Sequence, residues 1–335
     1  MMLGLALLLA PRAHAKSVLQ WQVTAYADGH HNAFTDLASW KGRYYLCFRH
    51  ATSHMAMNGE IRVMVSDDMK HWAPCTTLST FGDDRDPHFT QTPDRLYVFF
   101  GTWDLSHQSG HALPDRHEVR SYCASTDDGK TWSKIQGVYK PGFWLWRVRY
   151  HDGAFYSAAY TAKRPTPKER ETRLLRSKEG LNWDLVSTVT KVGMAGESDM
   201  QFNADGSMWL ITRTGVKPGH AWRYDSGPQL QHWTGTDLGV LVHAPVIARW
   251  HDRIFVAGRG RGDKGSVTRV WELVDGKLQE RLTLPSSGDT SYPGLIPCPD
   301  AQDSDHPAFF ISWYSQHETH GNAANVYVGR ILIDP

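Results

Sequence analysis

Polar residues interrupting short apolar runs are where this 335-residue chain concentrates groups able to move a proton or hold a charge. Asp36 stands in NAFTDLASW, Arg85 and Asp86 in RDPHFTQT, Arg147 in LWRVRYH, Glu197 in GESDMQF, His243 in HAPVIARW and Tyr292 in TSYPGLIP. Arg49, Arg213 and Arg259 fall at the ends of other apolar runs. Carboxylates near a phenol offer general bases, general acids and a nucleophile. Guanidiniums add planar, permanently charged donors that hold a carboxylate through paired hydrogen bonds. If one pocket collected these groups, its chemistry would suit a sugar, and an acidic sugar best.

Such a pocket requires elements that bring distant segments to one place, and the sequence repeats the same element six times. KGRYYLCF, DRLYVFFG, DGAFYSAAY, DGSMWLIT, DRIFVAGR and HPAFFISWY recur roughly 50 residues apart. Each follows a turn-forming pair and an earlier apolar run, and in most units a third run comes after it. No segment keeps a long helical period. Six copies of a three- to four-stranded unit predict an all-β chain folded as a six-bladed β-propeller. The last unit shows three strands, and VLQWQVTAY (Val18–Tyr26) alternates like the missing fourth. The expected organisation is therefore one propeller over residues 16–335, its ring closed by the N-terminal strand. In a propeller the first strand of each blade lines the central channel, which places the residues named above around one axis.

A second repeat punctuates the blades. SDDMKHW (Ser66–Trp72), STDDGKTW (Ser125–Trp132), SKEGLNW (Ser177–Trp183) and DSGPQLQHW (Asp225–Trp233) each end in tryptophan. Ser and Asp side chains bond turn amides, and the indole packs between blades. A feature repeated around a ring is a structural turn rather than one active site.

STDDGKTW resembles the Asp-box of the sialidase superfamily, whose members are six-bladed propellers. GESDMQFNADGSMWLITRTG is similar to that family's fourth blade, with Glu197 and Arg213 in the matching places. DTSYPGLIP is similar to the segment holding its tyrosine nucleophile, which assigns that role to Tyr292 with Glu197 as its base. The resemblance further implies Arg49, Arg259 and the RDPHF pair Arg85 and Asp86 as substrate contacts; the first-strand pattern, independently of it, adds Arg147 near the axis. Two places depart from the family pattern. NAFTDL carries Thr35 and Asp36 where the first carboxylate-gripping arginine belongs. HATSHMAMNG has His54 near the place of the acid/base aspartate. The implied activity is exo-acting, retaining hydrolysis of an acidic glycan such as a sialoside, with His54 as acid/base. Other readings stay open: a neutral-sugar glycosidase using Asp36, Asp86 and Glu197, a polysaccharide lyase using Tyr292 and a histidine, or a non-catalytic glycan-binding propeller.

Bulk properties narrow the partners. A formal net charge of +1 recruits neither nucleic acid nor an anionic membrane surface. The 14 tryptophans fit both sheet packing and sugar stacking. Residues 1–15 read as an export signal ending in Ala13-His14-Ala15, which predicts a secreted or periplasmic protein. No later apolar run is long enough to span a bilayer. Cys47, Cys75, Cys123 and Cys298 lack metal-ligand spacing, and HETH (His317–His320) lacks the spacing of a zinc helix. Neither a metal nor a cofactor is expected.

Overall fold

Strand formation follows the apolar runs repeat by repeat. A computed structural model describes residues 17–80, 82–103, 119–161, 170–301 and 306–334 of the chain; the export segment read at residues 1–15 lies outside them. The six second strands are Arg43–Ala51, Leu96–Trp103, Ala154–Thr161, Met208–Thr212, Arg253–Gly262 and Ala308–Ser315, one in each expected unit. Around them form six separate antiparallel sheets, five of them following chain order from the axis outward. Among the described residues the sole helical piece is the 3-10 turn Pro299–Ala301, and no helix is long and apolar enough to cross a membrane.

The sixth sheet breaks chain order in the way the sequence predicts. Val18–Tyr26 pairs antiparallel with Asn325–Leu332, so the first strand of the chain is the outer strand of the last blade. This contact joins the two ends of the described chain and leaves no blade with a missing neighbour.

The cores lie between blades rather than inside them. Ala38, Trp40, Tyr45 and Cys47 of blade 1 pack against Phe89, Leu96, Val98 and Phe100 of blade 2. Trp209 and Ile211 of blade 4 meet Ile247, Val256 and Trp271 of blade 5 in the same way. Each fully buried large apolar side chain contributes roughly 1.5–3 kcal/mol relative to exposure, so blade-to-blade packing dominates stability.

The tryptophan-ending turns are structural devices between third and fourth strands. Ser66, Thr126 and Ser177 hydroxyls each accept the amide three residues on, at 2.9 Å. Those amides belong to Met69, Gly129 and Gly180, which share a left-handed backbone with Leu230 of the fourth turn. Trp72 and Trp183 then donate their indole N–H to the carbonyls of Met69 and Gly180.

Four first strands carry a kink of one kind. Register slips between Ala33 and Asp36, Arg85 and His88, His243 and Val246, and Ser291 and Gly294. Within each slip one residue is left-handed: Phe34 (φ 59°), Asp86 (52°), Ala244 (49°) and Tyr292 (48°). Left-handed backbone is costly for bulky residues, and bulges of this kind re-aim a side chain beside a functional site. Proline follows three of the four, at Pro87, Pro245 and Pro293. In blade 3 the first strand is interrupted outright, between Phe143–Trp144 and Val148–His151.

Candidate active site

At one level of the axis the kinked strands open a cavity of about 390 Å³. Blade 2 contributes Arg85, Asp86 and Trp103, blade 3 Trp144, Tyr160 and Arg170, blade 4 Glu197 and Arg213. His54, Arg259 and Tyr292 complete the charged and hydroxyl-bearing lining from blades 1, 5 and 6. Every blade therefore reaches the same space.

Tyr292 and Glu197 form its centre. The Tyr292 hydroxyl donates to Glu197 Oε1 at 2.8 Å, and Arg213 Nη1 lies 2.6 Å from the same oxygen and 3.4 Å from the hydroxyl. Glu197 Oε2 accepts the Ala244 amide at 2.7 Å, a donor exposed by the blade 5 kink. Burial alone would raise the Glu197 carboxyl. The Arg213 and His243 charges, the Tyr292 hydroxyl and the Ala244 amide outweigh it and hold the group below the ordinary range. Burial and the Glu197 anion push the Tyr292 phenol well above its ordinary value. The pair is thus a neutral phenol beside an ionised carboxylate, poised for proton transfer from oxygen to oxygen. Phe34 packs against the Tyr292 ring at 4.9 Å, Trp146 at 5.8 Å, and the Arg259 guanidinium at 5.0 Å.

Asp86 is a carboxyl of opposite character. Burial pushes it up to about 7 against the pull of Arg85, and the Glu197 charge adds to the rise. Arg85 Nε lies 3.8 Å from Asp86 Oδ2, and its guanidinium stacks 3.9 Å from the Trp103 ring centre. Arg259 is held by Asp289 at 2.9 Å, by the Thr290 carbonyl at 2.8 Å and by the Tyr314 hydroxyl at 2.9 Å. His54 bonds Asp289 through Nδ1 at 2.6 Å.

Four of the residues read from the sequence, Asp36, Arg147, Arg49 and His243, stand outside the lining of this cavity. Asp36 and Arg147 pair with each other at 2.9 Å, both almost fully buried. Arg147 also donates to the carbonyls of Pro245 and Pro293, and Asp36 accepts the Phe89 amide. Arg147 offsets the cost of burying Asp36 and holds its carboxyl down at about 2. The pair belongs to a second cavity further along the same strands, lined by Leu37, Phe89, Val148, Val246 and Leu295. Arg49 is fully buried and grips Asp83 at 2.7 Å, outside the lining of the main cavity. Asp36, Arg147 and Arg49 are engaged in buried ion pairs, while Tyr292, Glu197, His54, Arg85, Asp86, Arg213 and Arg259 share the open space.

Sequence reading did not single out Trp103, Trp144, Tyr160, Arg170 or Asp289. Asp289 lies three residues before Tyr292, at the head of DTSYPGLIP, and a carboxylate so close to a candidate nucleophile was its available clue. Arg170 precedes the third strand of blade 3, as His54 precedes that of blade 1, so both sit on second-to-third strand connections. Such connections carry no periodic pattern.

No protein-family model matches the chain, and no curated protein matches it in sequence. Solved structures match its fold. A protein of unknown function from Dyadobacter fermentans superposes with a TM-score of 0.77 at 18% identity, covering 95% of this chain and 99% of its own. Trypanosoma rangeli sialidase gives a TM-score of 0.66 at 14% identity over 90% of this chain. The alignment spans 55% of the sialidase, so this chain matches about half of that longer protein. A Penicillium chrysogenum alpha-L-arabinanase complexed with arabinobiose gives 0.67 at 12% identity, covering 94% and 98% of the two chains. In its fold the chain is a divergent sialidase-like six-bladed β-propeller.

Proposed function

We propose that this protein is a retaining glycoside hydrolase that removes an acidic sugar, such as a sialic acid, from a glycan end. The observation that carries the reading is the 2.8 Å hydrogen bond from Tyr292 to Glu197, with Arg213 on the same carboxylate oxygen. Glu197 withdraws the phenolic proton as the Tyr292 oxygen attacks the anomeric carbon, and the glycosyl-tyrosine is then hydrolysed. A neutral phenol approaches an anionic sugar with less repulsion than a carboxylate nucleophile would. Arg85, Arg170, Arg213 and Arg259 give the cavity four guanidiniums with which to hold the sugar carboxylate, although blade 1 supplies none. The sialidase neighbours support this reading through fold alone.

The test is release of a fluorogenic aglycone from a sialoside by wild type and by Tyr292→Phe. Turnover that is lost in the variant supports the assignment. Equal rates in both, or no turnover of any acidic glycoside by wild type, would remove it.

One observation favours a second reading. Asp86, raised to about 7, and Glu197, held low, are two carboxyls pushed apart by their surroundings, as an acid and a base must be. That pair would serve a neutral sugar without Tyr292. Cleavage of an arabinoside that survives Tyr292→Phe and is lost in Asp86→Asn would establish this alternative. The Asp36 carboxylate, saturated by Arg147 and the Phe89 amide, has no part in either reading.

A further inference from the structure

Asp289 is a hub beside the pocket that the reaction outlined above does not use. Its Oδ2 meets His31 Nε2 at 2.9 Å and His54 Nδ1 at 2.6 Å, while Oδ1 meets Arg259 at 2.9 Å and the Tyr314 hydroxyl at 2.7 Å. The two histidines differ in exposure. His31 is buried, at 1% exposed, whereas the His54 ring is 49% exposed and lines the cavity. The groups facing His54 are Asp289 and Arg85, with the rings of His31 at 5.4 Å and Phe34 at 5.5 Å.

The hydrogen bonds select one tautomer. Asp289 accepts at Nδ1, and Arg85 Nη2 approaches Nε2 at 3.5 Å as a donor. Neutral His54 therefore carries its proton on Nδ1 and keeps the Nε2 lone pair, approached by Arg85, as the place where a further proton is taken up. We propose that His54 and Asp289 form the acid/base dyad of this pocket, His54 Nε2 exchanging the proton and Asp289 acting as the positioning residue. The proposal rests on the glycosidase reading, and it names how an acid step is supplied by a loop that has no aspartate.

The steps balance as follows. In the first, the bond from the anomeric carbon to the aglycone oxygen breaks as Tyr292 attacks, and the Nε2 proton of the imidazolium passes to that oxygen. In the second, water attacks the anomeric carbon and gives a proton to Nε2. The tyrosyl ether bond breaks in that step, and the leaving phenolate recovers its proton from Glu197. Sugar and aglycone are released and every protein group returns to its starting form. By holding Arg259 through its other oxygen, Asp289 also ties the acid to a cation that would meet the substrate.

His31, His54 and Asp289 lie close enough together to reach one cation, but the surroundings oppose it. Metal at His31 Nε2 and His54 Nδ1 would leave Nδ1–H of one ring and Nε2–H of the other directed at Arg49 and Arg85. Donors would then face donors permanently at both rings, a conflict that the imidazolium form of His54 meets at Nε2 alone and sheds when that proton passes to the aglycone oxygen. A proton on each ring, shared with Asp289, satisfies all of these contacts.

Two measurements test the dyad. Nitrogen-15 NMR of the histidine rings, with the His54 signals identified by their loss in His54→Gln, is expected to show Nδ1–H in wild type and loss of that preference in Asp289→Asn. Nε2–H in wild type overturns the proposal whether or not a substrate is known. The second compares two glycosides of one sugar, with an aryl and an alkyl aglycone. Loss of a general acid typically costs about 10²–10⁴-fold. His54→Gln is expected to fall by that factor on the alkyl glycoside and less than about tenfold on the aryl one, with azide restoring rate. Asp289→Asn follows the same pattern more weakly. Equal losses on both glycosides, or the leaving-group pattern in Asp86→Asn instead, would assign the acid elsewhere. Failure of the hydrolase reading shows differently, as absent turnover by wild type with the His54 tautomer as expected.

Discussion

Asp36 of blade 1 and Arg147 of blade 3 meet across the channel at 2.9 Å, and carbonyls of blades 5 and 6 complete the guanidinium's shell. The pair ties four blades together at the axis. It is a buried, nearly saturated ion pair, and such pairs matter most when one partner is removed.

Asp36→Ala should therefore destabilise the protein by about 3–5 kcal/mol, measured by urea unfolding. With the Asp36 carboxyl held at about 2, its contribution is present above the unfolded value near 3.8 and is lost as pH falls toward 2. Wild-type stability unchanged by the substitution would mean that the pair does not hold the axis.

Glu197→Gln keeps the shape of the site and removes its base. The expected result is a fall in kcat of about 10²–10⁴-fold with little change in KM, read by steady-state kinetics on an activated glycoside. A large rise in KM alone would show that Glu197 binds substrate without taking a proton.

Asp86 links stability to pH in the opposite sense from Asp36. Its carboxyl is raised to about 7, so the folded state holds the proton more tightly than the unfolded chain. That contribution is full below about pH 4 and disappears as pH rises through 7, with a ceiling on the order of 4 kcal/mol. Urea midpoints for wild type should fall between pH 5 and pH 8.5, and Asp86→Asn should flatten that slope. A slope unaffected by the substitution would contradict the assignment.

Gly101 leaves room for a wall of the cavity. A Cβ there would lie 2.2 Å from the Trp144 ring, which packs edge-on against Trp103. Gly101→Ala should cost about 1–3 kcal/mol and raise KM more than it lowers kcat, because both indoles line the pocket. Unaltered KM in a folded variant would separate Trp144 from substrate binding.

Gly294 is confined by backbone instead. Its Cβ would lie 2.3 Å from the Leu37 amide nitrogen, where the first strands of blades 1 and 6 run side by side. Gly294→Ala has no flexible neighbour to displace and should lower the melting temperature more than Gly276→Ala, whose Cβ would meet nothing within 4 Å although its φ is left-handed. Equal melting temperatures would show that the blade contact gives way.

Blade count, second-strand positions and ring closure were legible because they depend on alternation and spacing, which sequence displays directly. The convergence of Glu197, Arg213 and Tyr292 was legible too, from their places as polar residues in or flanking the first two strands of their blades. Their depth along the axis was not. Asp36 lies two residues beyond the kinked Phe34, so it falls past the cavity, whereas Asp86 and Tyr292 occupy the kinks themselves. A bulge shifts register by one residue and so changes which side chains reach the cavity. The Asp-Pro and Tyr-Pro dipeptides hinted at those kinks, but Phe34-Thr35 carries no such mark. His54, Arg170 and Asp289 lie outside the strands, where position depends on how loops fold over the opening.

The Asp36–Arg147 pair lines the second cavity and not the first. On the hydrolase reading proposed above, a clamp of four blades across the channel favours a substrate that enters by its tip over one that threads the ring.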